Sequence, residues 1–198
     1  MTLLELRGVD ARYGEEQVLY GVSLAVEEGE LVTVRGGPGA GKTTLLRAIS
    51  GTVRTHGDIL LDGEHVVPHS PEHLAREGVV HIPADRGTFA PLSVLDNLRV
   101  GAWVRRGASS RDLVRVYELF PELYEHREMR AALLPDDELE LLGLGRALMG
   151  HPRLVRVDEP SAAGLERLGD LQERGAAVLV VAREGPAGHV LDAGRLVA

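Results

Sequence analysis

The 198-residue chain carries 22 Lys and Arg against 30 Asp and Glu, with 44% hydrophobic residues and no cysteine. This composition is typical of a folded domain with a buried core, and it excludes a disordered chain, a disulfide scaffold and a cysteine nucleophile. The net charge of −8 gives no electrostatic basis for binding nucleic acid. No apolar run reaches the roughly 18–20 residues of a membrane span, and Met1–Arg7 lacks the apolar core of a secretion signal.

Hydrophobic periodicity and turn residues predict a mixture of strands and helices. In chain order these are strands within 3–35, a helix over 44–50, a strand over 57–63, helices capped by Ser70 and Ser93, helical spacing over 109–149, and strands over 154–158, 177–181 and 189–191. Gly51 is expected to end the first helix, since glycine favours the position after a helix C-terminus. No repeat or linker divides the chain. We therefore expect one α/β domain over 1–198, with a helical insertion at about 84–149.

Only one of the 22 basic residues is a lysine, and it lies in a glycine-rich loop. Because every other cation is Arg, this position points to a need for a compact ammonium group. The loop reads Gly36-Gly37-Pro38-Gly39-Ala40-Gly41-Lys42-Thr43 and continues with Thr44. It matches the phosphate-loop pattern G-x-x-x-x-G-K-[ST] between a predicted strand and a predicted helix, as that motif requires. We predict that its backbone N–H groups bind phosphate, that Lys42 reaches the β- and γ-phosphates, and that the Thr43 hydroxyl binds Mg²⁺.

A second candidate element ends the predicted strand over 154–158. Asp158 and Glu159 follow an apolar run, and alone such a pair is a weak signal that often marks a strand leading into a polar turn. Together with the phosphate loop it predicts that Asp158 binds Mg²⁺, directly or through water, and that Glu159 orients or deprotonates an attacking water. Arg156 inside this strand has no explanation in the sequence.

Three histidines, His65, His69 and His73, are spaced four residues apart, which suggests a metal site. Pro68 and Pro71 interrupt the helix that would align them, and the chain has no cysteine ligand. Solvent-exposed histidines are the expected outcome.

A motif that the sequence lacks excludes one class of phosphate-loop protein. Small GTPases need an Asn-Lys-x-Asp element for guanine, which is impossible here because the chain's one lysine is already in the phosphate loop. A nucleoside or shikimate-type kinase stays possible on length. Membership of that kinase class, however, gives no reason to expect the pair Asp158-Glu159 so late in the chain.

Over almost its whole length the chain resembles the ATPase subunits of ATP-binding cassette (ABC) transporters, and most of all those of branched-chain amino-acid importers. Besides the two motifs above, the matching segments are Val9–Gly14, Val18–Leu24, Glu28–Glu30, Ile82–Leu98, Val116–Pro121, Gly145–Met149, Asp158–Ser161 and Leu191–Val197. The resemblance implies a phosphate-loop NTPase fold of the ABC type, with a mostly parallel core sheet, an antiparallel β subdomain and an inserted helical subdomain. It also implies that Tyr13 stacks on adenine.

The resemblance further implies ATP and Mg²⁺ as cofactors and a location on the inner face of the cell membrane. Two such domains would form a head-to-tail dimer that encloses two ATP molecules, each held by the phosphate loop of one subunit and the signature loop of the other. Closure of this dimer would drive a membrane permease.

Three motifs depart from the family pattern. The Gln or Glu that senses Mg²⁺ falls at Ala84, beside Asp85, and the switch histidine falls at Arg183. The signature Leu-Ser-Gly-Gly-Glu falls at Leu134-Pro135-Asp136-Asp137-Glu138, which replaces a hydroxyl and two glycines with a proline and two carboxylates. A carboxylate about 4 Å from a phosphate oxygen costs about 4 kcal/mol at an effective dielectric of about 20. Asp136 and Asp137 also suit the first turn of a helix, so helix stability is an alternative explanation.

The sequence therefore leaves two hypotheses. In the first, the chain is an ATPase subunit whose site is completed by a partner with an intact signature. In the second, it binds ATP but hydrolyses little, as the degenerate half of an asymmetric pair. The segments Ala162–Arg174 and Glu184–His189, which are shorter than in the family pattern, favour the second. The damaged signature predicts a weak or absent homodimer, so a related ATPase is the expected partner.

Overall fold

The computed structural model describes residues 1–66, 70–105, 107–185 and 188–197, and the strands within these ranges form two sheets. The first is antiparallel, with the order β2-β1-β4-β5. Its strands are β1 (Thr2–Tyr13), β2 (Glu16–Glu27), β4 (Arg54–Leu61) and β5 (Glu64–His65). The second has the order β10-β9-β3-β8-β7-β6 and is parallel except where β9 meets β10. Its strands are β3 (Leu31–Arg35), β6 (Val79–Ile82), β7 (Leu154–Asp158), β8 (Ala177–Ala182), β9 (His189–Asp192) and β10 (Arg195–Val197). The predicted combination of a mostly parallel core sheet and an antiparallel sheet is confirmed.

The described helices include the four that fill the predicted insertion, α3 to α6. Their bounds are α1 (Lys42–Ile49), α2 (Pro71–Arg76), α3 (Val94–Gly101), α4 (Ser110–Leu119), α5 (Pro121–Glu125), α6 (Asp136–Met149) and α7 (Ala162–Glu173). The predicted caps are confirmed, since the hydroxyls of Ser70 and Ser93 each accept a hydrogen bond from the third residue that follows. None of these helices combines the length and the hydropathy needed to cross a membrane.

The start of α1 differs from the sequence prediction by two residues. The helix begins at Lys42 rather than Thr44, because the phosphate loop turns directly into its first turn. Its C-terminus agrees with the prediction, since Gly51 follows Ser50 with a φ of +65°. The loop and helix are thus one continuous unit, with the free N–H groups of the helix at the loop.

The core sheet separates two apolar clusters. Strand β8 is buried along its whole length, and its alternate residues face opposite clusters: Leu179 and Val181 pack with β1, β2 and α1, while Val178 and Val180 pack with the helical insertion and α7. A strand buried on both faces has an unbroken apolar sequence, which explains the run over 177–182. The sheet therefore joins the antiparallel part of the chain to the helical part.

Arg156 in β7 caps the far end of α1. Its side chain is 3% exposed, and Nη1 donates to the Leu46 carbonyl oxygen at 2.8 Å and to Ser50 Oγ at 2.5 Å. The C-terminal carbonyl groups of a helix carry partial negative charge and lack intrahelical partners, so a cation is favourable there. The residue that the sequence left unexplained thus fixes the phosphate-loop helix to the core sheet.

Candidate functional site

The carboxyl ends of three neighbouring core strands bring the predicted site residues together. The phosphate loop follows β3, Asp158 and Glu159 end β7, and Arg183 follows β8, which pairs with both of the other strands. Ligands of open parallel sheets bind at these strand ends. Together with Val18, the residues Pro38–Thr44, Glu159 and Arg183 line a cleft of about 270 Å³.

Two glycines of the loop have no room for a side chain. A Cβ on Gly36 would lie 2.5 Å from the Leu191 carbonyl oxygen, and a Cβ on Gly41 would lie 2.8 Å from Leu19 Cδ2. Gly41 also has a φ of +102°, which L-residues rarely adopt. The turn between β9 and β10 supports the loop from behind, because Gly194 N donates to the Ala40 carbonyl oxygen at 3.0 Å. The two glycines of the motif are thus explained by close packing against β9 on one side and β2 on the other.

Lys42 lies across this loop with its charge already paired. Its side chain is 6% exposed, and Nζ donates to the carbonyl oxygens of Gly36 at 2.6 Å and Gly37 at 2.8 Å. Nζ also lies 3.1 Å from Glu159 Oε1. A phosphate ligand can exchange these bonds for bonds to its own oxygens, since the ammonium group is on a flexible stem.

Asp158 is buried at the end of β7 beside Thr43. Burial raises the pKa of the Asp158 carboxyl, and the Glu159 charge acts in the same direction, while a hydrogen bond from Thr43 and the charge of Lys42 oppose them. Its Oδ1 is buried and has no hydrogen-bond partner among the described residues. An unpartnered buried carboxylate oxygen is costly unless something binds it. Oxygen ligands from Asp158 and Thr43 are the type that Mg²⁺ prefers, so these two residues fit the ion.

Glu159 has a strained backbone that directs its carboxylate towards two cations. Its φ is +48°, and its N–H donates to the Val181 carbonyl oxygen at 2.8 Å. One carboxylate oxygen lies 3.1 Å from Lys42 Nζ and the other 4.0 Å from Arg183 Nε. A non-glycine residue in this conformation costs about 1–3 kcal/mol and is typical of functional sites.

Tyr13 does not line this cleft. It lies at the end of β1, 40% exposed, and its hydroxyl accepts a hydrogen bond from Arg47 Nη1 at 3.1 Å. Its ring is accessible to a flat ligand, which is compatible with the predicted stacking. Tyr13 is therefore an exposed position outside the lining of the phosphate cleft.

The segment that corresponds to the family signature, Leu134–Glu138, leads into the start of α6. Pro135 is the N-cap, and Asp136 and Asp137 are exposed in the first helical turn. Glu138 Oε2 lies 2.6 Å from His126 Nδ1. Acidic side chains stabilise the N-terminus of a helix, so the geometry agrees with the helix-stability explanation. The segment nevertheless offers two exposed carboxylates where the family pattern offers glycine N–H groups.

Sequence reasoning missed Glu140, a buried carboxylate in α6 that joins three segments. Its oxygens accept hydrogen bonds from Ser161 N at 3.0 and 3.2 Å and from Arg86 Nη2 at 3.3 Å. Ser161 follows Glu159 by two residues, so Glu140 links the signature helix to the loop after β7. No local signal could have found it, because its partners are distant in sequence.

The remaining candidate residues are Ala84, its neighbour Asp85 and the histidine series. Ala84 and Asp85 are exposed, and Asp85 Oδ1 accepts a hydrogen bond from Gly87 N at 3.1 Å. Of the histidine series, His65 is exposed, whereas His69 lies outside the described residues. No group of three potential metal-ligating side chains occurs in the part of the chain that the structure describes.

A family model described as ABC transporter matches residues 19–162, well over half of the chain. The chain belongs to the ABC transporter family. This confirms the resemblance that the sequence motifs indicated, and it makes the chain a nucleotide-binding protein of that family.

Individual relatives agree with this assignment. The high-affinity branched-chain amino acid transport ATP-binding protein BraG of Pseudomonas aeruginosa is 37% identical over 161 residues, which cover 80% of this chain and 69% of BraG. The probable branched-chain amino acid transport ATP-binding protein LivF of Archaeoglobus fulgidus is 28% identical, over 78% of this chain and 66% of LivF. The match spans about two thirds of the length of these relatives. The ADP conformation of MJ1267, an ATP-binding cassette of an ABC transporter, superposes with a TM-score of 0.83 at 21% identity, over 100% of this chain and 90% of that one, which shows a shared fold.

Proposed function

We propose that this chain is the ATP-binding subunit of an ABC importer of branched-chain amino acids or related compounds. The observation that carries the proposal is that Lys42, Thr43 and Glu159 line one cleft at the carboxyl ends of β3 and β7, with Asp158 hydrogen-bonded to Thr43 beside it. The names of BraG and LivF support the class of transported compound. Residues 1–198 form a single nucleotide-binding domain with its helical insertion at about 84–149.

In this proposal, the residues Gly36–Thr44 bind the phosphates of ATP, and the exposed ring of Tyr13 stacks on the adenine. Lys42 exchanges its bonds to the Gly36 and Gly37 carbonyl oxygens for bonds to phosphate oxygens. Thr43 and Asp158 hold Mg²⁺, which when bound neutralises phosphate charge and orients the phosphate oxygens. Glu159 orients the attacking water and accepts its proton.

The second candidate function is that of the impaired half of an asymmetric pair, and the exposed carboxylates at the start of α6 favour it. At a partner's nucleotide, Asp136 and Asp137 would repel the phosphate that glycine N–H groups attract. The presence of Asp136 and Asp137 in place of glycine leaves this chain's own phosphate cleft unchanged. We infer that the chain forms a pair with a related ATPase subunit that has an intact signature. Both subunits bind the cytoplasmic face of a membrane permease.

The first experiment measures Mg-ATP binding by calorimetry for the wild type and for Lys42→Ala. We expect the variant to lose at least tenfold in affinity, because bonds to a charged group are worth about 1.5–3 kcal/mol. Arg54→Ala, a change at an exposed arginine on β4, is the matched control and keeps the wild-type affinity. Equal affinity in Lys42→Ala and wild type contradicts the proposed site.

The second experiment separates the two candidate functions. Steady-state ATP hydrolysis is compared between the wild type and a variant that restores the family pattern, with Pro135→Ser, Asp136→Gly and Asp137→Gly. If the signature limits turnover, the restored variant hydrolyses ATP at least tenfold faster and forms an ATP-dependent homodimer in analytical ultracentrifugation. A wild-type chain that already dimerises and turns over at the rate of the restored variant excludes the impaired half.

A further inference from the structure

A further cleft, of about 450 Å³, lies at the amino ends of the core strands β7 and β8. It is bounded by α4, by the ends of α6 and α7, and by the segments that lead into the two strands. The phosphate cleft lies at the opposite, carboxyl edge of the same sheet, and the two clefts have no described lining residue in common. The cleft at the amino ends is therefore separate from the phosphate cleft.

Two arginines from different elements line this cleft. Arg115 is on α4 and Arg174 is the residue at which α7 ends, and both side chains are exposed. Neither guanidinium group has a hydrogen bond or an ion pair with any residue that the structure describes. Guanidinium groups bind carboxylate and phosphate through paired, charge-assisted hydrogen bonds. The two walls thus offer donors for one anionic group.

The acidic residue of the described lining, Asp112, already has its charge paired. Its carboxylate accepts hydrogen bonds from Ser109 N and Oγ, and it lies 2.6 Å from His151 Nε2 and 3.4 Å from Arg105 Nη1. Burial raises the pKa of Asp112, but the bonds from Ser109 and His151 outweigh burial and hold that pKa well below its usual range. Because these partners hold the Asp112 carboxylate, Arg115 and Arg174 stay available to an anion from outside.

His151 is held at the cleft by an unusual backbone. Its φ is +51°, and its ring is 42% exposed. A non-glycine residue in this conformation destabilises the fold and occurs most often at functional sites. Nε2 is bound to Asp112, whereas Nδ1 has no partner in the part of the chain that the structure describes. The exposed part of the ring is therefore positioned to contact a ligand.

The rest of the described lining is apolar. Leu148 and Pro152 are half-buried and supply accessible apolar surface, and the buried Val116, Leu171 and Ala176 complete the lining. Small-molecule sites combine an apolar lining with a few placed polar groups, and their volumes are about 300–1,000 Å³. A simple inorganic anion would leave this apolar surface in water, whereas a ligand with an apolar body would cover it.

We propose that this cleft binds a small amphipathic anion, a molecule with one carboxylate or phosphate group on an apolar body. Arg115 and Arg174 bind the anionic group, and the apolar body packs on Leu148 and Pro152. The His151 ring contacts the bound molecule and reports its presence. This site is additional to the nucleotide site, so either can fail without the other.

The test titrates the full chain with three probes of equal chain length, hexanoate, hexyl phosphate and hexan-1-ol, at matched ionic strength and without nucleotide or Mg²⁺. We expect saturable binding of one molecule of hexanoate or hexyl phosphate per chain. Hexan-1-ol lacks the charge and acetate lacks the apolar chain, so each binds at least tenfold more weakly. The hexanoate arm reports a carboxylate ligand and the hexyl phosphate arm a phosphate ligand.

NMR locates the bound probe. The ring resonances of His151 shift with the same concentration dependence as binding, whereas those of His56, on β4 of the antiparallel sheet, stay unchanged. Because hexyl phosphate also suits a phosphate loop, each titration is repeated in Lys42→Ala, where binding at this cleft persists.

Two variants and a matched control test the arginines. Arg115→Gln and Arg174→Gln each weaken binding about tenfold, because each removes charged hydrogen bonds. Arg111→Gln changes an exposed arginine one turn earlier in α4, outside the cleft lining, and leaves binding unchanged. The proposal is overturned if neither anion binds saturably, if hexan-1-ol binds as tightly as the anions, or if both arginine variants bind as the wild type does. Binding that is lost in Lys42→Ala, or that leaves the His151 resonances in place, also overturns it.

Discussion

Asp112 offers a sharp test of how the helical insertion is held to the core sheet. It is the third residue of α4, 4% exposed, and its carboxylate accepts hydrogen bonds from Ser109 N at 3.0 Å and Ser109 Oγ at 2.7 Å. It also lies 2.6 Å from His151 Nε2, just before β7, and 3.4 Å from Arg105 Nη1. The substitution Asp112→Ala therefore breaks a helix cap and two links to neighbouring segments at once.

The magnitude follows from these contacts. Loss of a helix cap costs about 1 kcal/mol, and each ion pair with a partly exposed partner contributes up to about 1 kcal/mol. The expected loss in the free energy of unfolding is thus about 3 kcal/mol. Asp96→Ala is the matched control, because Asp96 has the same position in α3 and receives a hydrogen bond from Ser93. Asp96 is half exposed, so we expect about 1 kcal/mol there.

Urea unfolding at pH 7, 5 and 3 measures both values and their pH dependence. Burial alone would raise the pKa of Asp112, but the Ser109 hydroxyl and N–H and the His151 ring outweigh it and hold that pKa well below its usual range. A lowered pKa in the folded state stabilises the protein above the unfolded pKa of about 4 and loses this effect as the pH falls further. The gap between wild type and Asp112→Ala therefore narrows between pH 5 and pH 3. Equal losses in both variants, or a gap that widens at pH 3, would refute the reasoning.

Three further changes test the phosphate cleft and its support. Gly41→Ala should lower the free energy of unfolding in urea by about 2–3 kcal/mol, because a Cβ there meets a leucine methyl group and the φ is +102°. Gly39→Ala is the matched control: its φ is +79° but the space around it is open, so the expected loss is only about 1 kcal/mol. Glu159→Gln should raise ATP affinity several-fold in calorimetry, because it removes a negative charge 3.1 Å from Lys42 that competes with phosphate; unchanged affinity argues against that competition. Glu140→Ala should lower the free energy of unfolding by about 2–3 kcal/mol, because it leaves the Ser161 N–H and the Arg86 guanidinium without their partner. A loss below about 1 kcal/mol means that water replaces the carboxylate.

The parts of this protein that sequence predicts best are those determined by local chemistry. The phosphate loop needs glycine at two positions where a Cβ has no space, and the helix that follows begins at the loop itself. The run over 177–182 and the strand that ends at Asp158 are both buried on two faces, so their apolar sequences identify them. Caps such as Ser70 are visible because the hydrogen bond is made within four residues.

The parts that sequence did not predict depend on pairs distant along the chain. Arg156 looks misplaced in an apolar strand until its partners appear in α1, 106 and 110 residues earlier. Glu140 looks like one more acidic residue of a helix, yet it bonds to Arg86 and Ser161, 54 and 21 residues away. A buried charge is tolerated only where such partners meet it, and the spacing of residues in one sequence carries no record of which partners those are.

The phosphate cleft and the signature segment differ in how their residues affect the stability of the fold. In the cleft, Glu159 keeps a strained backbone and Asp158 keeps an unpartnered buried oxygen, and both features cost stability without a ligand. At the start of α6, the opposite holds: aspartate is a better helix residue than glycine, and its charge at the helix N-terminus is favourable. Asp136 and Asp137 therefore stabilise their own helix, and in the proposed pair they do so at the expense of a phosphate contact. The asymmetric pair proposed above calls for this combination, with the costly features retained at the chain's own cleft and the contact to a neighbour's nucleotide lost.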